Sequence, residues 1–202
     1  MTLAMRKIAR KETALAARLL GRAMRDNPIN RQAFAIADDS QREQALARFF
    51  LPVLLGLCAR GEVQGAFHDK TLVGVCGLAP PERCQPSPLE KLQIAPALIL
   101  RHPPTTSLRV MSWTGAWAKA DPKTPHWHLG PVAVAADLQH QGVGSQILRA
   151  FCGRMDVDRG TAYLETDKPE NVRFYERFGF RVTNEAKVLD IPNWYMTRAP
   201  AN

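Results

Sequence analysis

Cysteine is scarce in this sequence and follows no recognisable pattern. Only 4 of the 202 residues are cysteines, Cys58, Cys76, Cys84 and Cys152, and no two of them have the Cys-x-x-Cys spacing of zinc and redox sites. We therefore expect reduced thiols in the core and no metal site. Because 46% of the residues are apolar, the chain can build a core that needs neither disulfides nor a metal.

Long apolar runs are lacking as well. The longest, residues 49–59, is shorter than the roughly 20 residues that a membrane-spanning helix needs. Charged residues interrupt the N-terminal segment, among them Arg6, Lys7 and Glu12, so we expect no secretory signal. These absences predict a cytoplasmic protein without a membrane partner.

Acidic residues are fewer than basic residues. The chain has 27 lysines and arginines against 19 aspartates and glutamates, a net charge of +8, and residues 91–120 contain no acidic residue at all. Such an excess fits a polyanionic ligand, which can be nucleic acid, acidic lipid or a phosphorylated cofactor. Because the basic residues are dispersed and no helix-turn-helix, zinc or base-stacking motif is present, we expect no nucleic-acid partner.

The length predicts a single domain, 1–202, since domains average roughly 150 residues. Ten of the 15 prolines lie between Pro80 and Pro131, which predicts an insertion of loops and short helices at about residues 80–125. Strands are expected at residues 6–9, 63–68, 71–79, 126–134, 162–166, 180–182, 187–190 and 194–197. Helices are expected at residues 13–24, from Ser40 onward, and at 107–119, 142–155 and 171–178. This mixed order predicts an α/β or α+β fold with helices on both faces of a sheet.

The most informative segment is residues 128–145, where a strand leads through a short loop into a helix. The loop contains Gln139-x-x-Gly142-x-Gly144. Free N–H groups and the dipole at a helix N-terminus bind anions, and the glycines allow a diphosphate to approach the backbone. A dinucleotide fingerprint would need a third glycine at Ile147, and a P-loop would need a Gly-Lys-Ser/Thr end. Neither is present, so we expect a different phosphate-bearing ligand.

This loop resembles the cofactor motif Gln/Arg-x-x-Gly-x-Gly/Ala of the GNAT acetyltransferase superfamily. Leu164-Glu165-Thr166 and residues 171–180 are similar to a second motif of that superfamily. Residues 180–198 look most like the puromycin N-acetyltransferase branch. The resemblance implies a central mixed, mostly antiparallel sheet of about seven strands with helices on both faces, and acetyl-CoA as the cofactor.

By this resemblance, acetyl-CoA binds in a notch where the strand ending at Val134 diverges from the strand through Glu165. Main-chain groups of the first strand would hold the thioester and the pantetheine arm, and the glycine loop would hold the pyrophosphate. The residues expected at the cofactor are Val132, Ala133, Val134, Gln139, His140, Gln141, Gly142, Val143, Gly144, Ser145 and Asn171.

The resemblance also implies transfer of the acetyl group to a primary amine of a small molecule, by direct attack in a ternary complex. Asn171 and Tyr175 are four residues apart and therefore share one helix face. Tyr175 is expected to protonate the leaving thiolate as a general acid. The alternative is that Tyr175 is a core aromatic, like Phe174 and Phe178.

Three alternatives remain open for the general base. His126 and His128 flank Trp127 and point to one face of their strand, and imidazole titrates near neutrality. Such a pair can equally be structural, or a metal site that lacks a third ligand. Glu165 borders the same notch, and the remaining alternative is a reaction without a dedicated base.

The acceptor pocket is the least defined part of the site. Asn27, Phe34, Trp113, Trp117 and Trp127 are candidate walls for an apolar or aromatic amine, although tryptophans at helical spacing are typical of a core. Two other functions stay open, acetylation of protein N-termini or lysines and a CoA-binding regulatory module without turnover. We expect a monomer or a homodimer.

Overall fold

The structure is a computed structural model that describes residues 2–201, apart from the side chains of residues 93, 94, 97 and 98. Its strands are β1 Ala4–Lys7, β2 Glu62–His68, β3 Thr71–Ala79, β4 Trp127–Val134, β5 Ala162–Thr166, β6 Arg181–Val188 and β7 Ile191–Arg198. Its helices are α1 Thr13–Met24, α2 Pro28–Phe34, α3 Asp39–Arg60, α4 Pro88–Ile99, α5 Pro104–Ala120, α6 Val143–Val157 and α7 Pro169–Glu176. Among the described residues, none of the helices combines the length and the apolar character needed to cross a bilayer.

The strands of the described chain form one seven-stranded sheet in the order β1-β2-β3-β4-β5-β7-β6. Neighbouring strands are antiparallel except for β4 and β5, which run parallel. One core, which includes Leu20 and Leu54, joins α1, α2, α3 and α5 to one face of the sheet. A second core, which includes Ile147 and Tyr175, joins α6 and α7 to the other face. The prediction of a mixed, mostly antiparallel sheet covered on both faces is therefore confirmed.

Several elements follow their local sequence signals closely. Helix α1 has the predicted bounds because Ala16, Ala17 and Leu20 form one buried stripe. Strands β2 and β3 form the predicted hairpin around residues 69–70. After α7, Gly179 has a φ of +86°, a left-handed conformation that glycine adopts without steric cost.

Two predictions in the N-terminal half differ from the structure. Residues 26–28 predict only a turn, yet Pro28 is the first residue of α2, a position where its missing N–H costs nothing. Helix α3 begins at Asp39 rather than Ser40 because the carboxylate of Asp38 accepts a 2.7 Å hydrogen bond from the N–H of Gln41. Helix α3 contains Pro52 and continues on both sides of it.

The proline-rich segment and the C-terminal end also differ. Helix α5, of 17 residues, contains the predicted helix 107–119 and begins three residues earlier. Helix α4 has 12 residues where only loops and short helices are predicted. Both helices have a proline in the first turn, where its missing N–H costs nothing. Two strands, β6 and β7, stand where three are predicted, because they pair along most of their length. Strand β1 begins two residues earlier than predicted.

Candidate active site

A notch opens between the two parallel strands at the centre of the sheet. Strands β4 and β5 pair only at Trp127↔Ala162 and His128↔Tyr163, so the rest of β4 has no neighbour on that side. The N–H of Ala135 donates to the carbonyl of Val73 at 2.9 Å. Because such bonds alternate along an antiparallel pair, the main chain of Ala133 faces β3.

By the same alternation, the main-chain groups of Val132 and Val134 face the notch. The carbonyl of Val134 accepts a 3.3 Å hydrogen bond from the side chain of Gln139. The carbonyl of Val134 is therefore already bonded, whereas the N–H and carbonyl of Val132 remain available to a ligand that pairs with β4 as another strand would.

The loop after β4 presents backbone donors at the start of α6. Gly142 is the N-cap with a φ of +84°, and a Cβ added there would meet only open space. The first backbone bond of α6 runs from the N–H of Gln146 to the carbonyl of Gly142, so the N–H groups of Val143, Gly144 and Ser145 have no partner within the helix. This set of donors fits a diphosphate.

The polar side chains of the loop stabilise the loop itself. Gln139 bonds to Val134, and the side chain of Gln141 donates to the carbonyl of Asp137 at 2.9 Å. His140 is exposed and has a φ of +62°. We infer that the backbone, rather than these side chains, is the part of the loop suited to an anion.

Helix α7 brings Asn171 and Tyr175 to the notch on its predicted face. The amide of Asn171 donates to the hydroxyl of Thr166 at 3.1 Å, which joins α7 to the end of β5. Tyr175 is 8% exposed and lines a cavity beside the notch. Burial raises the pKa of Tyr175, and Cys76 and Asp167 raise it further. The phenol therefore stays protonated at neutral pH and can act only as an acid.

His128 lies between two carboxylates. Its Nε2 is 2.9 Å from Oε2 of Glu165, and its Nδ1 is 3.5 Å from Oδ1 of Asp121. Burial by itself lowers the pKa of His128, but the charge of Glu165 and the contacts with both carboxylates outweigh burial and raise the pKa to about 10. His128 is therefore an imidazolium at neutral pH.

Asp121 is a member of this cluster that the sequence analysis missed. It also contacts His126, whose Nε2 is 3.2 Å from Oδ1 of Asp121 and whose Nδ1 is 2.7 Å from the carbonyl of Thr124. His126 is 4% exposed and outside the cavity lining, so its contacts hold Asp121 in place. Two features of the sequence could have indicated Asp121. It is the first acidic residue after the acid-free segment 91–120, and it lies five positions before His126.

The cavity beside the notch has a volume of about 270 Å³. It brings together Asn27 of the α1–α2 connection, Trp113 and Trp117 of α5, the His128–Glu165 pair, and Tyr175. Its walls also include parts of α3.

Two of the predicted wall residues lie elsewhere. Phe34 is 1% exposed and packs in the core against Phe49. Trp127 lies on the opposite face of β4 from His128, because neighbouring strand residues alternate. There its ring lies 4.7 Å below the guanidinium of Arg154.

Residues 109–182 match the family model described as an acetyltransferase (GNAT) domain. This segment contains most of α5, the notch, the glycine loop and α7. This part of the chain is therefore similar to a GNAT acetyltransferase domain.

Three solved structures illustrate the similarity over the whole chain. One is described as histone acetyltransferase HPA2 and related acetyltransferase from Corynebacterium glutamicum, with 21% identity, a TM-score of 0.72 and coverage of 100% of this chain and 98% of that one. The polyamine N-acetyltransferase of Drosophila melanogaster has 13% identity, a TM-score of 0.63 and coverage of 98% and 100%. The PaiA N-acetyltransferase of Thermoplasma acidophilum, solved with coenzyme A, has 13% identity, a TM-score of 0.58 and coverage of 98% and 99%. At these identities, the likeness shows the fold.

Proposed function

We propose that this protein transfers the acetyl group of acetyl-CoA to a primary amine of a small molecule in a ternary complex. The observation that carries the proposal is that one cavity, next to the notch, is lined by both Tyr175 and the His128–Glu165 pair. An acid and a proton acceptor are the two groups that aminolysis of a thioester requires.

The cofactor is assigned to the notch and to the glycine loop. The backbone of Val132 would hold the pantetheine arm, and the N–H groups of residues 143–145 would hold the pyrophosphate. When bound, acetyl-CoA supplies the acetyl group as a thioester. Tyr175 then donates its phenolic proton to the thiolate sulfur as the carbon–sulfur bond breaks and the new carbon–nitrogen bond forms.

We assign removal of the ammonium proton to His128 and Glu165 acting as a pair. Glu165 and Asp121 hold the pKa of His128 well above its ordinary value, so His128 accepts the ammonium proton only after it has lost its own. Asp121 positions His128 from the other side, at 3.5 Å. His126 does not line the cavity, and we propose a structural role for it.

The acceptor is proposed to be a small molecule because the cavity is bounded by several elements and holds only about 270 Å³. The similar Drosophila structure is described as catalysing the formation of N-acetylagmatine, which is acetylation of a small amine. The puromycin-like branch stays a prediction from residues 180–198. Acetylation of proteins or peptides and a regulatory CoA-binding role remain alternatives for the experiment to separate.

The first experiment is a thermal-shift titration with acetyl-CoA and with free coenzyme A. A ligand present at about 100 times its dissociation constant stabilises the folded protein by about 2.7 kcal/mol. Release of free thiol is then followed with a panel of amines that includes puromycin, and with a lysine-containing peptide. The proposal would be contradicted if neither acetyl-CoA nor coenzyme A stabilised the protein. It would also be contradicted if the peptide released thiol and none of the amines did.

A further inference from the structure

We infer that the acceptor carries a single cationic amine on an apolar or aromatic body, and that Asn27 binds a polar group next to that amine. This inference rests on the proposed function and specifies its substrate class. Three properties of the cavity support it, namely a fixed aromatic wall, the position of its carboxylates and an amide without a partner.

The aromatic wall is formed by α3 and α5. The rings of Trp113 and Trp117 are 5.1 Å apart and those of Phe49 and Trp113 are 5.8 Å apart. The indole N–H of Trp117 donates to the side-chain oxygen of Asn193 at 2.9 Å, and Asn193 is fully buried in β7. Since Trp117 is held in this way, the wall offers a preformed surface to an aromatic or aliphatic body.

Two of the described residues that line the cavity carry carboxylates. They belong to Glu165, which contacts His128, and to Asp167, whose Oδ2 accepts a 2.7 Å hydrogen bond from the N–H of Ile29. Both carboxylates are therefore already engaged, and Arg60, which also lines the cavity, is paired with Glu90 at 3.1 Å. A second cationic group on the acceptor would find no free carboxylate among the described lining residues, so its desolvation would be unfavourable.

Asn27 supplies the unpartnered amide. It is the N-cap residue of α2, but its side chain makes no capping hydrogen bond. Asp167 instead accepts from the N–H of Ile29, at the position that a capping side chain serves. Asn27 is 8% exposed and lines the cavity, and within residues 2–201 its amide has no hydrogen-bond partner. An amide on the cavity lining that is not used for capping is available to a carbonyl or hydroxyl group of the acceptor.

The test compares kcat/KM for phenethylamine, phenylalaninamide, agmatine and spermidine. We expect the two aromatic monoamines to exceed agmatine and spermidine by at least about tenfold, because an unpaired second charge is strongly rejected by an apolar wall. Substitution Asn27→Ala is expected to lower kcat/KM for phenylalaninamide, which carries a carbonyl beside the amine. The loss for phenethylamine, which lacks that carbonyl, should be several-fold smaller.

A gain-of-function variant tests the charge argument directly. Thr114 lies on α5 at the cavity, and Thr114→Glu places a carboxylate on the wall that lacks one. We expect this variant to raise kcat/KM for agmatine relative to phenethylamine by about tenfold, the effect of one new charged hydrogen bond. Ser112→Glu adds the same charge to an exposed position of α5 outside the lining and should not change the ratio.

Each outcome has a separate meaning. Transfer to agmatine or spermidine at rates equal to or above those for the aromatic amines overturns the inference and leaves the proposed acetyltransferase intact. An unchanged ratio in Thr114→Glu, or an equal loss for both aromatic amines in Asn27→Ala, also overturns it. Binding of acetyl-CoA without transfer to any amine overturns the proposed function as well.

Discussion

Asp167 Oδ2 accepts a 2.7 Å hydrogen bond from the backbone N–H of Ile29, which lies 138 positions earlier in the chain. Ile29 is the second residue of α2, where an N–H has no partner within the helix. The carboxylate that follows β5 therefore holds the N-terminus of α2. This contact joins the strand that borders the notch to the helix that borders the acceptor cavity.

Replacement Asp167→Ala is expected to lower the free energy of unfolding by about 1 kcal/mol, because the N–H of Ile29 loses its acceptor. The start of α2 should then shift, and KM for the acceptor amine should rise while the dissociation constant for acetyl-CoA changes little. Denaturant unfolding and initial-rate kinetics measure the two effects.

The conservative variant Asp167→Asn serves as the control for this prediction. Its side-chain oxygen can still accept from Ile29, so most of the stability and the acceptor KM should return toward wild type. If the asparagine variant behaves like the alanine variant, the hydrogen bond to Ile29 is not the cause.

Substitution Tyr175→Phe is expected to reduce kcat by about 100-fold or more, since removal of a general acid has effects of this size. The affinity for acetyl-CoA should stay near wild type because the ring itself remains in place. Tyr195→Phe is the matched control, because it removes another buried phenol that does not line the cavity. Wild-type turnover in Tyr175→Phe would exclude Tyr175 as the acid.

Substitution Asp121→Asn is expected to lower the pKa of His128 and His126, because both rings contact the carboxylate of Asp121. A titration of the histidine ring signals by NMR measures this shift directly. The apparent pKa for loss of a proton in the pH profile of kcat/KM should move in the same direction if His128 takes part in proton removal. An unshifted histidine titration would show that Asp121 does not set the protonation of the cluster.

The same variant should also lower the stability of the protein, by an amount that depends on pH. The pKa of His128 is about 10 in the folded protein against an ordinary value of 6.5. Its contribution to stability is therefore complete below pH 6.5 and is lost as the pH rises through about 10. We expect Asp121→Asn to be less stable than wild type at pH 6, and the difference to shrink toward pH 10. Asp137→Asn, which removes an exposed carboxylate outside the cluster of Asp121, His126 and His128, should show no such pH dependence.

Substitution Gly144→Ala tests the glycine loop. A Cβ at this position would lie 3.4 Å from Phe174 and 3.7 Å from Val134, so the variant can fold while its methyl group occupies space between these two residues at the notch. We expect affinity for acetyl-CoA to fall about tenfold, equivalent to the loss of one hydrogen bond to a charged group. The control Gly153→Ala, in open space on the same helix, should stabilise α6 by about 0.5–1 kcal/mol without changing this affinity.

Local sequence signals predicted much of the sheet and its helices. Leu15, Leu19 and Leu20 on one side predict α1, although the structure buries Ala16, Ala17 and Leu20 and leaves Leu15 half-exposed. The alternation around residues 69–70 predicts the hairpin, and both patterns depend on near neighbours in the chain. Helix α2 was missed because its start is stabilised by Asp167 rather than by a local cap. Helix α5 was predicted except for its first three residues and its last one, whereas α4 was not predicted individually because the proline-rich segment indicated loops and short helices.

The candidate site was predicted in part. Residue spacing placed Gly142 and Gly144 on the loop and put Asn171 and Tyr175 on one helix face. The position of Tyr175 beside the notch was implied by the resemblance to the GNAT superfamily. Spacing alone did not separate His128 from His126, because both lie on one strand face and differ only in their partners across the fold. It also grouped Trp127 with Trp113 and Trp117, although strand alternation puts Trp127 on the opposite face of β4.

The sequence by itself determined the strand, glycine loop and helix that suit a diphosphate, because that unit is built from consecutive residues whose conformations are set locally. Tertiary structure alone decided which side chains meet at the acceptor cavity. Asp121, His128 and Glu165 come from three separate segments, and Ile29 meets Asp167 across most of the chain. Contacts of this kind depend on how the sheet and helices pack. Packing brings together residues that are far apart in the sequence, and the sequence between them does not indicate that they meet.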